Sequence, residues 1–251
     1  MKRTIITILA AGLLAGGGGT GAAELIVSAA ASLTNALSEV AREFERANSP
    51  HKVILNFASS GALLQQIYRG APVDVFASAD EDTMDQAEKE NLIMPSSRID
   101  FAGNTLVLVA PSGAEVSVSR LEDLRKGAIR RIAISNTQTV PAGKYSRQAL
   151  EAAGLFAELK DKYINTQNVR QSLDYVARGE VDAGFVYGTD AAVMADKVKV
   201  LLEVPTGTAI RYPIAVVRGS GKEAVATRFL EFVRSDAGQR ILRKHGFRSV
   251  D

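Results

Sequence analysis

Leu25-Ile26-Val27-Ser28-Ala29-Ala30-Ala31-Ser32-Leu33-Thr34-Asn35-Ala36 runs from an apolar triplet through small residues into a helical pattern. Leu25-Ile26-Val27 reads as a buried strand, and Leu33, Ala36, Leu37, Val40, Ala41 and Phe44 recur at helix spacing. Ser32 therefore falls at a strand-to-helix turn. A serine there can cap the helix with its hydroxyl. It can also join the first free N–H groups in presenting donors to an anion, which the helix dipole favours. Capping alone, worth about 0.5–2 kcal/mol, would explain one such serine. What carries more weight is that the same arrangement recurs.

Outward from this stretch the strand-then-helix rhythm repeats. Lys52 to Ala58 reads as a strand, Ser59-Ser60-Gly61 opens a short helix with Leu63, Leu64, Ile67 and Tyr68, and Val73 to Ala77 is a strand before a helix from Glu81 to Glu90. An α/β fold with a mostly parallel sheet flanked by helices is expected, its ligand crevice at the carboxyl ends of the strands. After Gly103-Asn104 an apolar run, Thr105 to Ala110, opens a second series: a strand Arg131 to Ser135, a helix entered at Pro141, a strand near Tyr163-Ile164, a helix Val169 to Arg178 and a strand Ala183 to Tyr187. Tyr212 to Val217 is a further strand, and two helices, Glu223 to Val233 and Ala237 to Lys244, end the chain. Two lobes fit this count: residues 24–104 with 213–251, and residues 105–212. Crossings fall near Asn104 and Tyr212, and the C-terminal helices are expected to return to the first lobe.

The first 23 residues stand apart. Lys2 and Arg3 precede an apolar core from Thr4 to Leu14, followed by small residues ending Gly21-Ala22-Ala23. This is a secretory signal with a cut after Ala23, and its core is shorter than the roughly 20 residues of a membrane span. The chain of 251 residues has no cysteine, so neither lipidation nor thiol chemistry is expected, and the mature protein should be free in the periplasm. Removing Lys2 and Arg3 leaves 28 basic against 28 acidic residues. A neutral chain without a basic stripe argues against a nucleic-acid partner.

Four places share one local logic, a strand end, small or turn residues, then a helix: Ala31-Ser32, Ser59-Ser60, Val140-Pro141-Ala142-Gly143 and Asn168-Val169-Arg170. Pro141 suits the first turn, leaving the amides of Ala142 and Gly143 as free donors, and Asn168 is a natural N-cap. Two helix starts come from each lobe, and across one cleft they would form a ring of neutral donors. They could equally be ordinary helix starts. Tyr187, at the end of a strand, is either a half-buried core tyrosine or a fifth donor. His51 and His245 lack the spaced partners of a metal site and read as surface or packing residues. Ser32 or Ser60 as a nucleophile would need a base, and no G-x-S-x-G or S-x-x-K pattern is present. Asp74 and Asp80 are expected to be solvated or capping residues rather than cation ligands.

These residues also carry a resemblance. Ala29-Ala30-Ala31-Ser32-Leu33-Thr34-Asn35-Ala36, Phe57-Ala58-Ser59-Ser60, Gly70-Ala71-Pro72-Val73-Asp74-Val75-Phe76-Ala77-Ser78-Ala79-Asp80, Gly103-Asn104-Thr105-Leu106-Val107, Val140-Pro141-Ala142-Gly143, Asn168-Val169-Arg170 and Val186-Tyr187-Gly188-Thr189-Asp190 follow one another over the mature chain. Together they resemble the periplasmic molybdate-binding proteins of ABC importers. The resemblance implies the two-lobed periplasmic binding protein fold of type II, with the ligand between lobes. It implies oxyanion contacts from the hydroxyls and amides of Ser32 and Ser60, the amides of Ala142 and Val169, and the hydroxyl of Tyr187. It implies molybdate or tungstate as ligand, no cofactor or resident metal, a membrane permease as partner, a monomer, and no enzymatic activity. Gly61 stands where the family often has a third serine, which is expected to loosen the tip of that helix, and Thr189 stands where serine is common.

A fully deprotonated tetrahedral dianion accepts hydrogen bonds at every oxygen, whereas hydrogen phosphate carries a proton that wants an acceptor. Five to seven charge-assisted bonds of roughly 1.5–3 kcal/mol each could offset desolvation and closure. Arg170 is expected to point away from the ligand, either behind the residues that touch it or at the surface, so that its loss changes affinity little. A receptor for sulfate or another small oxyanion is the nearest alternative, and a periplasmic hydrolase using Ser32 or Ser60 a more distant one.

Overall fold

In the computed structural model, which describes residues 22–250, the chain builds two five-stranded sheets, each covered by helices. The expected signal segment lies almost wholly outside the described residues. The first half runs β1 (Glu24–Ala30), α1 (Thr34–Ala47), β2 (Lys52–Ala58), α2 (Ser60–Tyr68), β3 (Val75–Ala77), α3 (Glu81–Lys89) and β4 (Ile99–Asn104). The second runs β5 (Leu106–Pro111), β6 (Ile132–Ser135), α4 (Pro141–Ala152), β7 (Tyr163–Thr166), α5 (Val169–Ala177), β8 (Ala183–Tyr187), α6 (Gly188–Val193) and β9 (Val198–Val204). The chain then returns through β10 (Ile210–Val216), α7 (Glu223–Arg234) and α8 (Asp236–Lys244). Among the described residues no helix is long and apolar enough to cross a membrane.

The first sheet has the order β2-β1-β3-β10-β4 and the second β7-β6-β8-β5-β9. Pairing is parallel within the strand-helix units and antiparallel where β10 and β5, the strands that follow the crossings, enter their sheets. The main chain crosses between sheets twice, at Thr105 and between Val204 and Ile210. β10 begins at Ile210 rather than Tyr212 and pairs with β4 from its first residue. Strands β4 and β9 are additions to the pattern read from sequence.

Register places the strand ends. Ala30 of β1 lies beside Ala58 of β2, so Ala31-Ser32 and Ser59-Ser60 leave the first sheet at one level. Ser135 lies beside Thr166, and β8 runs parallel to β6, so the segments leading to α4, α5 and α6 leave the second sheet on one side. The C-terminal helices pack on α1: Phe44 meets the rings of Phe229 and Phe232 edge-on at 5.2 and 5.8 Å. Phe44 and Phe229 are fully buried, and each such ring contributes about 1.5–3 kcal/mol.

Candidate functional site: a neutral donor cavity between the sheets

Ser32, Ser60, Ala142, Val169 and Tyr187 all line one small cavity, with Ala30, Ala31, Ser59, Ala79, Val140, Pro141 and Asn168 completing its wall. Its volume is ≈ 200 Å³. That suits one compact, dehydrated species and is below the roughly 300–1,000 Å³ of common ligand pockets. No Lys, Arg, His, Asp or Glu contributes to the wall. Any negative charge inside would meet amides and hydroxyls alone.

Each donor is held by its element. Asn168 caps α5 by accepting the amide of Gln171 at 3.0 Å, which occupies its side-chain oxygen and leaves the Val169 amide among the free donors of the first turn. Pro141 opens α4, so Ala142 and Gly143 supply its next amides. Ser60 opens α2, and its hydroxyl oxygen accepts the amide of Ala79 at 3.0 Å, so its proton is free to point elsewhere. Tyr187 lies 3.5 Å from the carbonyl of Ala79, a long contact it can exchange for a better acceptor. Burial, chiefly, and the neighbouring Tyr212, Tyr145 and Asp80 push the Tyr187 hydroxyl well above the ordinary tyrosine range, so it stays a donor.

Ser32 is not the N-cap of α1. It sits in a single 3-10 turn, Ala31–Leu33, and its hydroxyl meets that of Tyr212 at 3.1 Å. Tyr212 in turn accepts from the side-chain amide of Asn104 at 3.1 Å, and the same amide donates to Thr189 at 2.8 Å. With Asn104 donating to Tyr212 and Tyr212 to Ser32, the Ser32 proton is left for the cavity, and each bond polarises the next. Sequence reading missed Tyr212 in this role. The only hint was its place beside a crossing.

Two expectations are corrected, and a third takes a definite form. Gly61 does not loosen α2: its amide donates to the carbonyl of Thr139 in the other half at 3.0 Å, and a Cβ there would lie 2.5 Å from that oxygen. Asp74 and Asp80 are buried and paired with lysines, Asp74 with Lys222 at 3.0 Å and Asp80 with Lys144 at 2.7 Å. Arg170 points away from the cavity as expected, but it is not idle. Its guanidinium donates to Asn35 at 2.8 Å and to the Ser32 carbonyl at 3.3 Å, and lies 2.5 Å from the buried carboxylate of Asp190. That last contact is an ion pair without hydrogen-bond alignment. Burial raises the Asp190 carboxyl, and the charge of Arg170 opposes the rise. Those contacts place Arg170 behind the turn that carries Ser32.

His51 accepts the amide of Ala23 at 3.3 Å and His245 pairs with Glu39 at 2.8 Å, so neither is available to activate Ser32 or Ser60. Among the described residues no three His, Asp or Glu side chains are grouped to hold a metal ion.

Known proteins share this architecture. The molybdate-binding protein ModA of Escherichia coli is 35% identical over 232 residues, spanning 89% of this chain and 88% of that protein. Its namesake in Haemophilus influenzae is 33% identical over 230 residues, spanning 90% of each. The solved periplasmic molybdate-binding protein of Azotobacter vinelandii superposes with a TM-score of 0.80 at 26% identity, covering 90% of this chain and all of that one. The family model described as bacterial extracellular solute-binding protein matches residues 25–248, and the chain belongs to that family.

Proposed function

We infer that the protein is a periplasmic receptor that binds molybdate or tungstate between its two lobes and delivers it to the membrane permease of an ABC importer. The observation that carries this reading is the cavity itself: small, walled by both halves, and furnished with neutral donors only. The relatives named for molybdate point the same way. Ser32, Ser60 and Tyr187 donate hydroxyl protons, and Ala142 and Val169 donate amides. The lobes are residues 24–104 with the chain from β10 onward and residues 105–204, joined by a hinge at the two crossings, Thr105 and the segment between Val204 and Ile210. A ligand that touches both lobes favours their closed arrangement. The protein acts as a monomer, is released after Ala23 and performs no chemistry on its ligand.

Donor-only walls select against ions that carry a proton, because no carboxylate is present to accept it. Molybdate and tungstate should each raise the melting temperature at matched ionic strength, and hydrogen phosphate should not. Sulfate, a smaller dianion, should do so much less because the donors cannot close upon it. Equal stabilisation by sulfate would make the protein a general oxyanion receptor, and no response to any of the four would end the proposal.

The pH dependence has a definite sign. The raised Tyr187 hydroxyl keeps its proton above the ordinary tyrosine range, and no other side chain in the wall titrates. Calorimetric affinity for molybdate should therefore stay level from about pH 7 to about pH 10. A decline through about pH 8 would reveal an ionising group in contact with the ion.

A further inference from the structure

Outside the cavity wall, the halves touch through groups that no ligand would reach. Lys144 on α4 extends to Asp80 at 2.7 Å and to the hydroxyl of Thr83 at 3.1 Å, both belonging to the segment that opens α3. Asp80 is 2% exposed and is also held by the Ser78 hydroxyl at 3.0 Å, so its carboxylate is fixed before Lys144 meets it. On α2 the Gly61 amide, one of the free donors of that helix, is spent on the Thr139 carbonyl rather than on the cavity. Arg170 joins α5 to Asn35 and the Ser32 carbonyl. These contacts join three helices of one half to the other half around the cavity.

We propose that Lys144 and Asp80 form a latch between the lobes that sets how long a bound oxyanion is retained, independently of which oxyanion is bound. The proposal rests on the two-lobed receptor reading above. Asp80 and Lys144 sit on different sheets' helices, so opening the cleft must part them, and the latch contributes only to the closed arrangement. Its energy therefore adds to closure for any occupant, leaving selection to the donors of the wall. A pair this well enclosed is screened less than a surface ion pair, and removing one partner leaves the other charge buried without its counterpart in the closed state. The cost should fall on the dissociation rate, because it is the closed complex that loses the interaction. Lys144 is a positioning residue for closure and touches no ligand.

The test is a double-mutant cycle of Lys144→Met, Asp80→Asn and both together, read by stopped-flow dissociation of molybdate and of tungstate. Lys144→Met should speed dissociation of both ions by about tenfold or more, with an unchanged ratio between them. The double variant should lose less than the two single losses combined. A second readout needs no ligand affinity. Since the chain has no cysteine, spin labels at Gln86→Cys and Ala152→Cys, exposed positions on α3 and α4, report the width of the cleft. Lys144→Met should shift their distance distribution toward longer values than in the labelled parent. Parent protein that fails to bind either ion would sink the receptor reading, while the label distances still judge the latch. Unchanged distances together with additive or absent rate effects would overturn the latch while leaving the receptor reading intact. A changed ratio of molybdate to tungstate dissociation would place Lys144 in ion selection and contradict the proposal.

Discussion

Gly143→Ala should lower the affinity for molybdate by about 100-fold or more, ~2.8 kcal/mol at 1.4 kcal/mol per decade. A Cβ at Gly143 would stand 2.2 Å from the carbonyl oxygen of Ser135 and 2.7 Å from that of Asn136. Both obstacles are main chain at the end of β6, so they cannot swing aside. The first turn of α4 must lift instead, by about 1 Å, and it carries the Ala142 amide with it. A preorganised site tolerates displacements of about 0.5 Å. The same lift should lower ligand-free stability by about 1–3 kcal/mol, the usual cost of overpacking. Calorimetry and urea unfolding on one preparation separate the two effects. Full affinity in a folded Gly143→Ala protein would mean that the α4 terminus does not hold the ion.

Ser60→Ala should act twice. The Ser60 hydroxyl accepts the amide of Ala79 and, in the proposed complex, donates to the oxyanion. Loss of the donation is felt only in binding, and a hydrogen bond to a charged partner contributes about 1.5–3 kcal/mol, which predicts roughly a 10- to 150-fold weaker complex. Loss of the acceptor leaves the Ala79 amide buried without a partner, costing about 1–3 kcal/mol of stability with or without ligand. A variant that loses stability and keeps its affinity would show that Ser60 supports the loop at Ala79 and does not touch the ion.

The helix starts were legible because each is written locally. A capping asparagine at 168, a proline at 141 and serines at 32 and 60 sit where an apolar strand run meets helical spacing, and backbone chemistry at those junctions depends on near neighbours in sequence. Within each sheet the strand registers bring the relevant ends to one side, and the cavity lining brings the two sets together. Ser32 shows where local reading stops. Its partner Tyr212 is 180 residues away, so a hydroxyl that looked free to cap a helix is instead engaged across the crossing.

The cross-cleft contacts were out of reach for the same reason. Asp80 and Lys144 are 64 positions apart, and nothing in either neighbourhood announces an ion pair. Gly61 reads locally as a flexible substitution in a helix tip, yet its missing side chain is what lets the Thr139 carbonyl approach. Strand β9 escaped the sequence reading because Val200 in its middle is exposed and Leu201 and Leu202 are both half-buried, so its burial does not alternate. Strand β4 was harder to see, since Asp100 and Gly103 interrupt it and Gly103 takes part in an additional bridge to Arg248.

The central claim is that uncharged donors from both halves are sufficient to hold a doubly charged ion. A crystal structure of the protein grown with molybdate tests it most directly. The account predicts the ion in the cavity, with hydrogen bonds from Ser32, Ser60, Ala142, Val169 and Tyr187, and with Arg170 and Lys144 engaged on Asp190 and Asp80 behind the wall. A lysine, arginine or metal ion in direct contact with the molybdate oxygens, or an ion held by one half alone, would contradict it.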